Sequence, residues 1–437
     1  MKKIFGIIAC LAVIGVSAQE TVLPAKAYDG LLFIKNGTVH VGNGQVLENA
    51  TIKVNKGKIE QVGQNIAIPA DDVKVFDASG KHVYPGLILP SSGLGLTEIG
   101  SGVRGSNDNR EIGDANASVR AISAYNADSK ITNTLRSNGI LLAHIVPEGS
   151  FVGGLSSVVK LDGWTAEEAA YSTDMGLHVS MPSMMRRPGG GRFARFMQQG
   201  GGNSDPIQRA LDQVEELKQF FREAKAWNAA KSHDETNLKY KAIQPLFEKK
   251  QKLFMHATQV NQMLVAIDFA KEFGFDVVIV GGTESPRIAD LLKQNNIPVI
   301  LNQMHNLPTA DDDDIDDPFK APALLQKAGV LYCINDDDPQ NRGRNMPFNA
   351  GTAATYGLQK EEALSAITLN AAKILGIADK TGSLEAGKDA NIVISEGDIL
   401  DMRSSKITNA FIKGATLDLT DKHKLLFERY KQRYAIK

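Results

Sequence analysis

The sequence predicts an α/β protein, a (β/α)8 TIM-like barrel with a small β-sandwich built from its N-terminal and C-terminal segments. Three observations predict this fold. Short β-rich runs fill residues 31–65, apolar strands alternate with helices between 85 and 375, and β-rich runs return after 376. Strands that alternate with helices indicate a parallel sheet, and 437 residues are too many for one small core.

Residues 1–18 have the pattern of a signal peptide. Two lysines precede an apolar run from Ile4 to Val16, and small residues lead up to a cleavage site after Ala18. This run is too short to span a bilayer as a retained helix. We therefore expect an exported, periplasmic protein with no membrane span after processing.

The next segment, 19–84, forms the first part of the sandwich. Its runs LLFIKNG, TVHVGNG and ATIKVNKG end in Asn-Gly or Lys-Gly, which are hairpin signals. Residues 376–418 provide the second part. The last segment, 419–437, is an amphipathic helix that we expect to dock against the core.

Residues 85–375 carry the barrel. Its clearest stretch is 253–360, where the strands LFMHA, DVVIVGG, PVILN and VLYCIND alternate with helical segments. Runs of Val, Ile and Leu are typical of parallel strands buried on both faces. No Gly-rich nucleotide turn follows an early strand, so a closed barrel is favoured over a doubly wound sheet.

Composition excludes several classes of protein. The balance of 49 basic against 50 acidic residues argues against a nucleic-acid-binding surface. The chain has only Cys10 and Cys333, which excludes a disulfide framework and a cysteine-based zinc site. The Gly- and Arg-rich segment 186–206 is a solvated loop or a lid for an anionic group. The acidic run Asp311–Asp314 is more typical of a solvated surface than of a calcium site.

Three stretches resemble the amidohydrolase superfamily, nearest to its imidazolonepropionase-like members. They are VYPGLI (83–88), EEALSAITLNAAKILGIADKTGSLEAGKDANIVI (361–394) and the set of βα units from 253 to 340, and the resemblance covers roughly 30–415. It implies that the two ends of the chain share one sandwich. It also implies hydrolysis of a non-peptide C–N bond, in a cyclic amide or a related small molecule, at a zinc centre on the carboxyl face of the barrel.

The resemblance implies a ligand set of which few members are present. The family's usual set is a His-x-His pair on strand 1, a Lys on strand 4, one His each on strands 5 and 6, and an Asp on strand 8. Ser91 and Gly93 stand at the positions of the pair. No Lys lies on strand 4, and His178 there does not match the family register. His256 matches strand 5, whereas Gly281 stands at the strand 6 position.

On strand 8 the better match for the family's proton-shuttling Asp is Asp337, and Asp336 is the alternative. His305 follows strand 7 at the same rim but is not a usual ligand. His256, Asp337 and His305 are thus the residues that can hold one weakly bound zinc, with Asp337 also as the catalytic residue. The glycine pair Gly281–Gly282 and the strand-end Ser91 are the expected substrate contacts.

A serine mechanism is the weaker alternative, with Ser91 or Ser92 as nucleophile and His256 as base. The sequence therefore predicts a small-molecule hydrolase of the amidohydrolase type whose degenerate metal centre leaves activity weak or lost. The alternative is a non-catalytic exported subunit that pairs with an active homologue or binds a ligand. The expected assemblies are a homo-oligomer or a pair with a paralogous amidohydrolase.

Overall fold

The computed structural model describes residues 22–98, 108–149, 151–184, 205–230, 232, 235–302, 304–308, 313–336 and 342–436. Two eight-stranded sheets organise these residues, one from the ends of the chain and one from its middle. The predicted signal peptide and all but the last two residues of the segment 186–206 lie outside the described residues.

The first sheet joins the two ends of the chain, which confirms the prediction. Its strands are β1 (Leu31–His40), β2 (Val46–Asn55), β3 (Lys58–Gly63), β4 (Val73–Asp77), β5 (His82–Pro85), β14 (Ile392–Ser395), β15 (Ile407–Ile412) and β16 (Ala415–Thr416). The strand order is β16-β15-β14-β5-β1-β2-β3, with β4 parallel beside β1. The two ends meet where β14 runs antiparallel to β5, with Ile392 opposite Pro85.

The second sheet forms a nearly closed barrel. Its strands are β6 (Leu87–Ser92), β7 (Ile140–Ile145), β8 (Val152–Lys160), β9 (Ala170–Ser180), β10 (Lys252–Ala257), β11 (Val277–Gly281), β12 (Val299–Leu301) and β13 (Tyr332–Ile334). Each strand pairs with the one before it in the chain. The strands predicted within LFMHA, DVVIVGG, PVILN and VLYCIND are all present, as β10 to β13.

Helices cover the barrel from outside and connect its strands. They are α1 (Ala121–Ala124), α2 (Lys130–Arg136), α3 (Ala166–Ala169), α4 (Pro206–Ala229), α5 (Leu238–Ala242), α6 (Gln244–Phe247), α7 (Val260–Phe273), α8 (Ala289–Gln294), α9 (Asp317–Ala328), α10 (Met346–Thr355), α11 (Lys360–Ala366), α12 (Leu369–Ile374) and α13 (Lys422–Arg433). Two short 3-10 helices, Ser285–Ile288 and Arg342–Asn345, precede α8 and α10.

The barrel departs from the expected parallel sheet at β8, which runs antiparallel to both β7 and β9. Only residues 146–151 connect β7 to β8. A parallel pair needs a crossover of a dozen or more residues, so a connection this short requires an antiparallel pair. The third position of the barrel is therefore one arm of a hairpin.

Apolar side chains fill the floor of the barrel. These side chains come from seven strands, and they pack against one another and against α12. They are Ile88, Leu142, Val158, Phe254, Val278, Val280, Ile300 and Cys333. Cys333 is a buried free thiol. Because side chains alternate between the two faces of a strand, a residue two positions from any of these faces the interior as well.

The C-terminal segment forms a helix as predicted, and this helix contacts α2 without adding to the core. None of the residues of α13 is buried. The helix begins at Asp421, whose carboxylate accepts hydrogen bonds from the backbone N–H groups of His423 and Lys424. None of the described helices has both the length and the apolar character to cross a membrane.

Candidate active site

His256 lies near the carboxyl end of β10, where the sequence analysis places it. It follows the interior residue Phe254 by two positions, so it faces into the barrel. Its Nε2 lies 2.9 Å from Nδ1 of His178 on the neighbouring strand β9. The expected zinc ligand is therefore already hydrogen-bonded to a second imidazole.

The hydrogen bonds continue from His178 across the barrel. Nε2 of His178 is 2.9 Å from Oγ of Ser156 on β8, and that oxygen is 2.7 Å from Nε2 of His144 on β7. Nδ1 of His144 lies 2.8 Å from the carbonyl oxygen of Pro90 on β6. Five adjacent strands each contribute one group, and we call Pro90, His144, Ser156, His178 and His256 the histidine chain.

The positions of the protons in the histidine chain follow from the acceptor at one end of it, the carbonyl oxygen of Pro90. The Pro90 carbonyl oxygen only accepts, so His144 donates from Nδ1. Nε2 of the neutral ring then accepts from the Ser156 hydroxyl at 2.7 Å, a shorter contact than the 3.2 Å from that hydroxyl to the Gly176 carbonyl oxygen. The Ser156 oxygen then accepts from Nε2–H of His178. Nδ1 of His178 accepts in turn from Nε2–H of His256. Every donor points towards Pro90, and His256 keeps one unprotonated nitrogen, Nδ1.

Burial keeps the three rings neutral. An imidazolium loses its hydration inside the barrel, which lowers the pKa of His144 and of His256 to about 4. The same loss of hydration lowers the pKa of His178 well below its usual range, and its two histidine neighbours lower it further. At neutral pH the histidine chain therefore carries no charge.

Packing around Phe254 holds His178 in place. The two rings stack with centroids 4.7 Å apart and planes 2° from parallel. A Cβ on Gly176, two residues before His178 on β9, would lie 2.2 Å from the Phe254 ring carbon Cε2. Only glycine at 176 leaves room for the ring, so the geometry of the histidine chain depends on that residue.

The end of β11 carries the two glycines expected to contact substrate. Gly281 has φ +105° and Gly282 has φ +56°, which are conformations that residues with side chains rarely adopt. Gly281 lines a cavity of about 190 Å³ together with Thr258 and Asn302. A Cβ on Gly282 would lie 2.3 Å from Cγ1 of Val299, so the protein itself fills the space beside Gly282.

Asn335 occupies the inward position just past β13, two residues after Cys333. Its Oδ1 accepts from the backbone N–H of Ser91 at 3.3 Å, and its Nδ2 donates to Oδ1 of Asn302 at 2.9 Å. This buried amide connects β13 to β6 across the gap in the barrel. Ser91, the third expected substrate contact, is itself buried.

Asp336 is held on the side of α10 rather than in the histidine chain. Its carboxylate accepts hydrogen bonds from Nε of Arg342 at 3.0 Å and from Nδ2 of Asn349 at 3.2 Å. It therefore forms an ion pair in which the carboxylate is buried and the Arg342 side chain is exposed. Asp337, the expected catalytic residue and zinc ligand, lies outside the described residues.

The exposed ring of His305 lines a cavity that His256 does not line. This cavity, of about 260 Å³, is lined by His305, Asp336 and Arg342 among others, and His256 does not line it. Nε2 of His305 lies 3.4 Å from Oγ1 of Thr352. The structure thus brings His305 towards Asp336 and not towards His256.

The described donors do not fit the zinc centre that the resemblance implies. Such a centre needs at least three protein ligands at one point. Within the described ranges, the only three His, Cys, Asp or Glu side chains close enough to share a metal are Asp314, Asp316 and Asp317. Lys320 forms ion pairs with Asp314 and Asp316, as in an ordinary charged surface. His256 offers a single free lone pair.

The sequence analysis missed His144 and Ser156 and set His178 aside. Part of the signal was present, because His144 follows Leu142, and His256 follows Phe254, at the two-residue spacing of one strand face. Which polar residues meet across strands depends on register. The antiparallel register of β8, which sets Ser156 opposite Gly176, is not readable from the sequence.

Comparisons with known proteins agree with the fold and the quoted motifs. A family model described as the amidohydrolase family matches residues 208–417. The amidohydrolase tasK of Hapsidospora irregularis is 22% identical over 391 residues, which cover 82% of this chain but only 38% of tasK. The imidazolonepropionase of Brucella anthropi is 23% identical over 385 residues, covering 80% of this chain and 87% of that enzyme.

A solved structure shows the same architecture over nearly its whole length. The amidohydrolase from Thermotoga maritima MSB8 superposes with a TM-score of 0.76 at 28% identity, covering 89% of this chain and 99% of that one. The barrel, the shared sheet at the two chain ends and the matched segment 208–417 lead to one assignment. The chain belongs to the amidohydrolase superfamily.

Proposed function

We propose that this chain acts on non-peptide C–N bonds of the cyclic amide type in a small molecule, with an incomplete metal centre that makes hydrolysis slow or absent. Relatives named imidazolonepropionase support the substrate class, since an imidazolone is a cyclic amide. The observation that carries the proposal is the state of His256. It keeps the family position, but its Nε2 donates to His178 and only Nδ1 remains free.

The chemistry of His256 explains why the reaction would be slow. A complete zinc centre lowers the pKa of bound water and polarises the carbonyl group. Without it, the partly exposed His256 ring is left as a general base. A base whose pKa is lowered to about 4 accepts a proton from water weakly at neutral pH, because proton transfer works best near the operating pH.

Zinc analysis and hydrolysis assays on the purified protein test this proposal. We expect well under one zinc per chain after dialysis and slow opening of an imidazolone or hydantoin ring, followed by absorbance. Loss of a general base lowers a rate by about 100-fold, so His256→Gln should remove most of that activity. His423→Gln, on the exposed helix α13, is the matched control. One tightly held zinc per chain with rapid turnover would contradict the incomplete centre.

A non-catalytic subunit that pairs with an active homologue is the second candidate. It is favoured by exposed apolar side chains in the loops after β6 and β12, on the carboxyl face of the barrel. Ile112 and Leu307 are 86% and 81% exposed, and Ile315 is 74% exposed. A partner bound on this face would remove these three side chains from water. Light scattering of the protein with and without a homologue that keeps the strand 1 histidines distinguishes the two candidates.

Export with cleavage after Ala18 is part of the same proposal and rests on the sequence pattern alone. The mass and N-terminal sequence of the protein recovered from a periplasmic extract test it. A chain that begins at Met1 in that extract, or that is absent from it, would contradict it.

A further inference from the structure

The C-terminal helix α13 carries an exposed aromatic face. Phe427, Tyr430 and Tyr434 follow at spacings of three and four residues, which places them on one side of a helix. Their exposed fractions are 62%, 53% and 66%. The rings of Tyr430 and Tyr434 stack with centroids 6.3 Å apart. These side chains contribute nothing to the described core.

Basic residues border this aromatic face. The helix has five Lys and Arg residues and one acidic residue, Glu428. Lys424 and Lys431 lie three before and four after Phe427, and Arg433 lies three after Tyr430, so they are neighbours on the helix surface. Within the described part of the chain, no carboxylate oxygen lies within 4.0 Å of the charged nitrogens of Lys431 or Arg433. The face therefore combines aromatic surface with unpaired positive charge.

The helix is already formed on the surface of the protein. Asp421 caps its N-terminus, and Nη1 of Arg344 lies 3.1 Å from Nε2 of His423. Leu426, four residues before Tyr430, is partly buried, and the helix contacts α2. A binding element that is ordered beforehand loses little conformational entropy when it binds.

We propose that α13 docks this protein on an anionic lipid surface. Helices that lie in a membrane interface have aromatic and aliphatic residues on one face and Lys and Arg beside them. The rings enter the boundary between headgroups and acyl chains, and the cations lie against anionic headgroups. A second copy of this chain fits the face less well, because a two-fold pair would bring the same positive borders together. This inference does not depend on the proposed hydrolysis.

Sedimentation of the full chain with vesicles tests the proposal. We expect binding to phosphatidylcholine–phosphatidylglycerol vesicles that weakens with salt, and little binding to phosphatidylcholine alone. Each cation near an anionic surface changes binding about fivefold, so Lys431→Glu/Arg433→Glu should weaken it at least ~25-fold. The triple change Phe427→Ser/Tyr430→Ser/Tyr434→Ser should weaken it by at least ~10-fold, because it removes the aromatic area that enters the interface.

Matched variants on α5 serve as controls. Lys239→Glu/Lys241→Glu makes the same charge change at exposed positions, and Leu238→Ser removes an exposed apolar side chain. Both should bind as the unmodified chain does. The thermal midpoint should be unchanged in every variant, since none of the α13 residues is buried.

Three results would overturn the proposal. The first is equal binding by the α13 variants and the α5 controls, and the second is no preference for anionic vesicles. The third is that the α13 variants still bind vesicles but lose another interaction of the unmodified chain. That interaction would be either a concentration-dependent dimer or binding to polyglutamate. That third result would assign the face to a second copy or to an acidic protein.

Discussion

The two sides of the barrel interior differ in how they use polar groups. From β6 to β10, each strand contributes one group to the histidine chain, and these groups satisfy each other. From β11 to β13, the interior is apolar up to Gly281 and Asn335. A metal centre needs free lone pairs that converge from both sides. Imidazoles in a barrel therefore do not make a metal site when their nitrogens already bond to one another.

Acid should destabilise the protein through the polar side of the barrel, and this is the largest effect that the comparison predicts. An unfolded histidine titrates near 6.5, whereas His144 and His256 titrate at about 4 in the folded state. Below pH 6.5 the unfolded chain therefore binds protons that the folded chain does not. The stability is present above 6.5 and is lost as the pH falls towards 4, by about 2 kcal/mol per ring between pH 7.5 and 5.

Urea unfolding at pH 7.5 and at pH 5 measures this loss. In His144→Gln the difference between the two free energies of unfolding should shrink by about 2 kcal/mol, whatever the variant's own stability. His305→Gln, at an exposed position, should keep the full difference. An unchanged difference in His144→Gln would mean that the rings are not held neutral by burial.

Breaking the histidine chain at its centre should have the next largest effect. Ser156→Ala removes the hydroxyl between His144 and His178 and leaves an acceptor on one ring and a donor on the other unpaired and buried. Leaving a buried polar group unpaired costs about 1–3 kcal/mol, so we expect a loss of about 3 kcal/mol.

Urea unfolding at neutral pH measures that loss, with Ser123→Ala on the exposed side of α1 as its control. The control should change the free energy of unfolding by less than about 0.5 kcal/mol. Equal stability of the two variants would show that the hydrogen bonds of the histidine chain are not formed.

Adding one methyl group at Gly176 should have the smallest of the three effects. The new Cβ in Gly176→Ala would lie 2.2 Å from the Phe254 ring, so that ring, which stacks on His178, would have to shift. Overpacking of this kind costs about 1–3 kcal/mol. Gly63→Ala is the matched control, since no atom lies within 4 Å of a Cβ there. Thermal unfolding of both variants decides whether the ring has room to move.

Much of the fold could be predicted from the sequence, because strand and helix periodicity is local. The strand–helix repeats of 253–360 and the shared sheet of the two chain ends appear where their patterns place them. The direction of β8 was not predicted, since it depends on the short connection 146–151. The exposure of α13 was not predicted either, because an amphipathic pattern does not say which surface covers it.

The position of a single site residue could be predicted from the sequence, but its contacts with other site residues could not. His256 falls at the end of β10 because the strand ends there, but its partner His178 is 78 positions away in the chain. Contacts at this separation are set by strand order and register, which the side-chain pattern does not encode. For the same reason, His305 follows β12 at the same end of the barrel as His256 and yet lines a cavity with Asp336 that His256 does not line.

The glycine pair after β11 also limits any attempt to engineer a cation-binding enzyme from this scaffold. A histidine placed at 281 would have to adopt φ +105°, which costs about 1–3 kcal/mol, and a side chain at 282 would collide with Val299. Substitution of side chains alone would therefore not build a metal site at the end of β11. The backbone between β11 and the helix that follows would first have to be redesigned, and only then could the metal ligands be chosen.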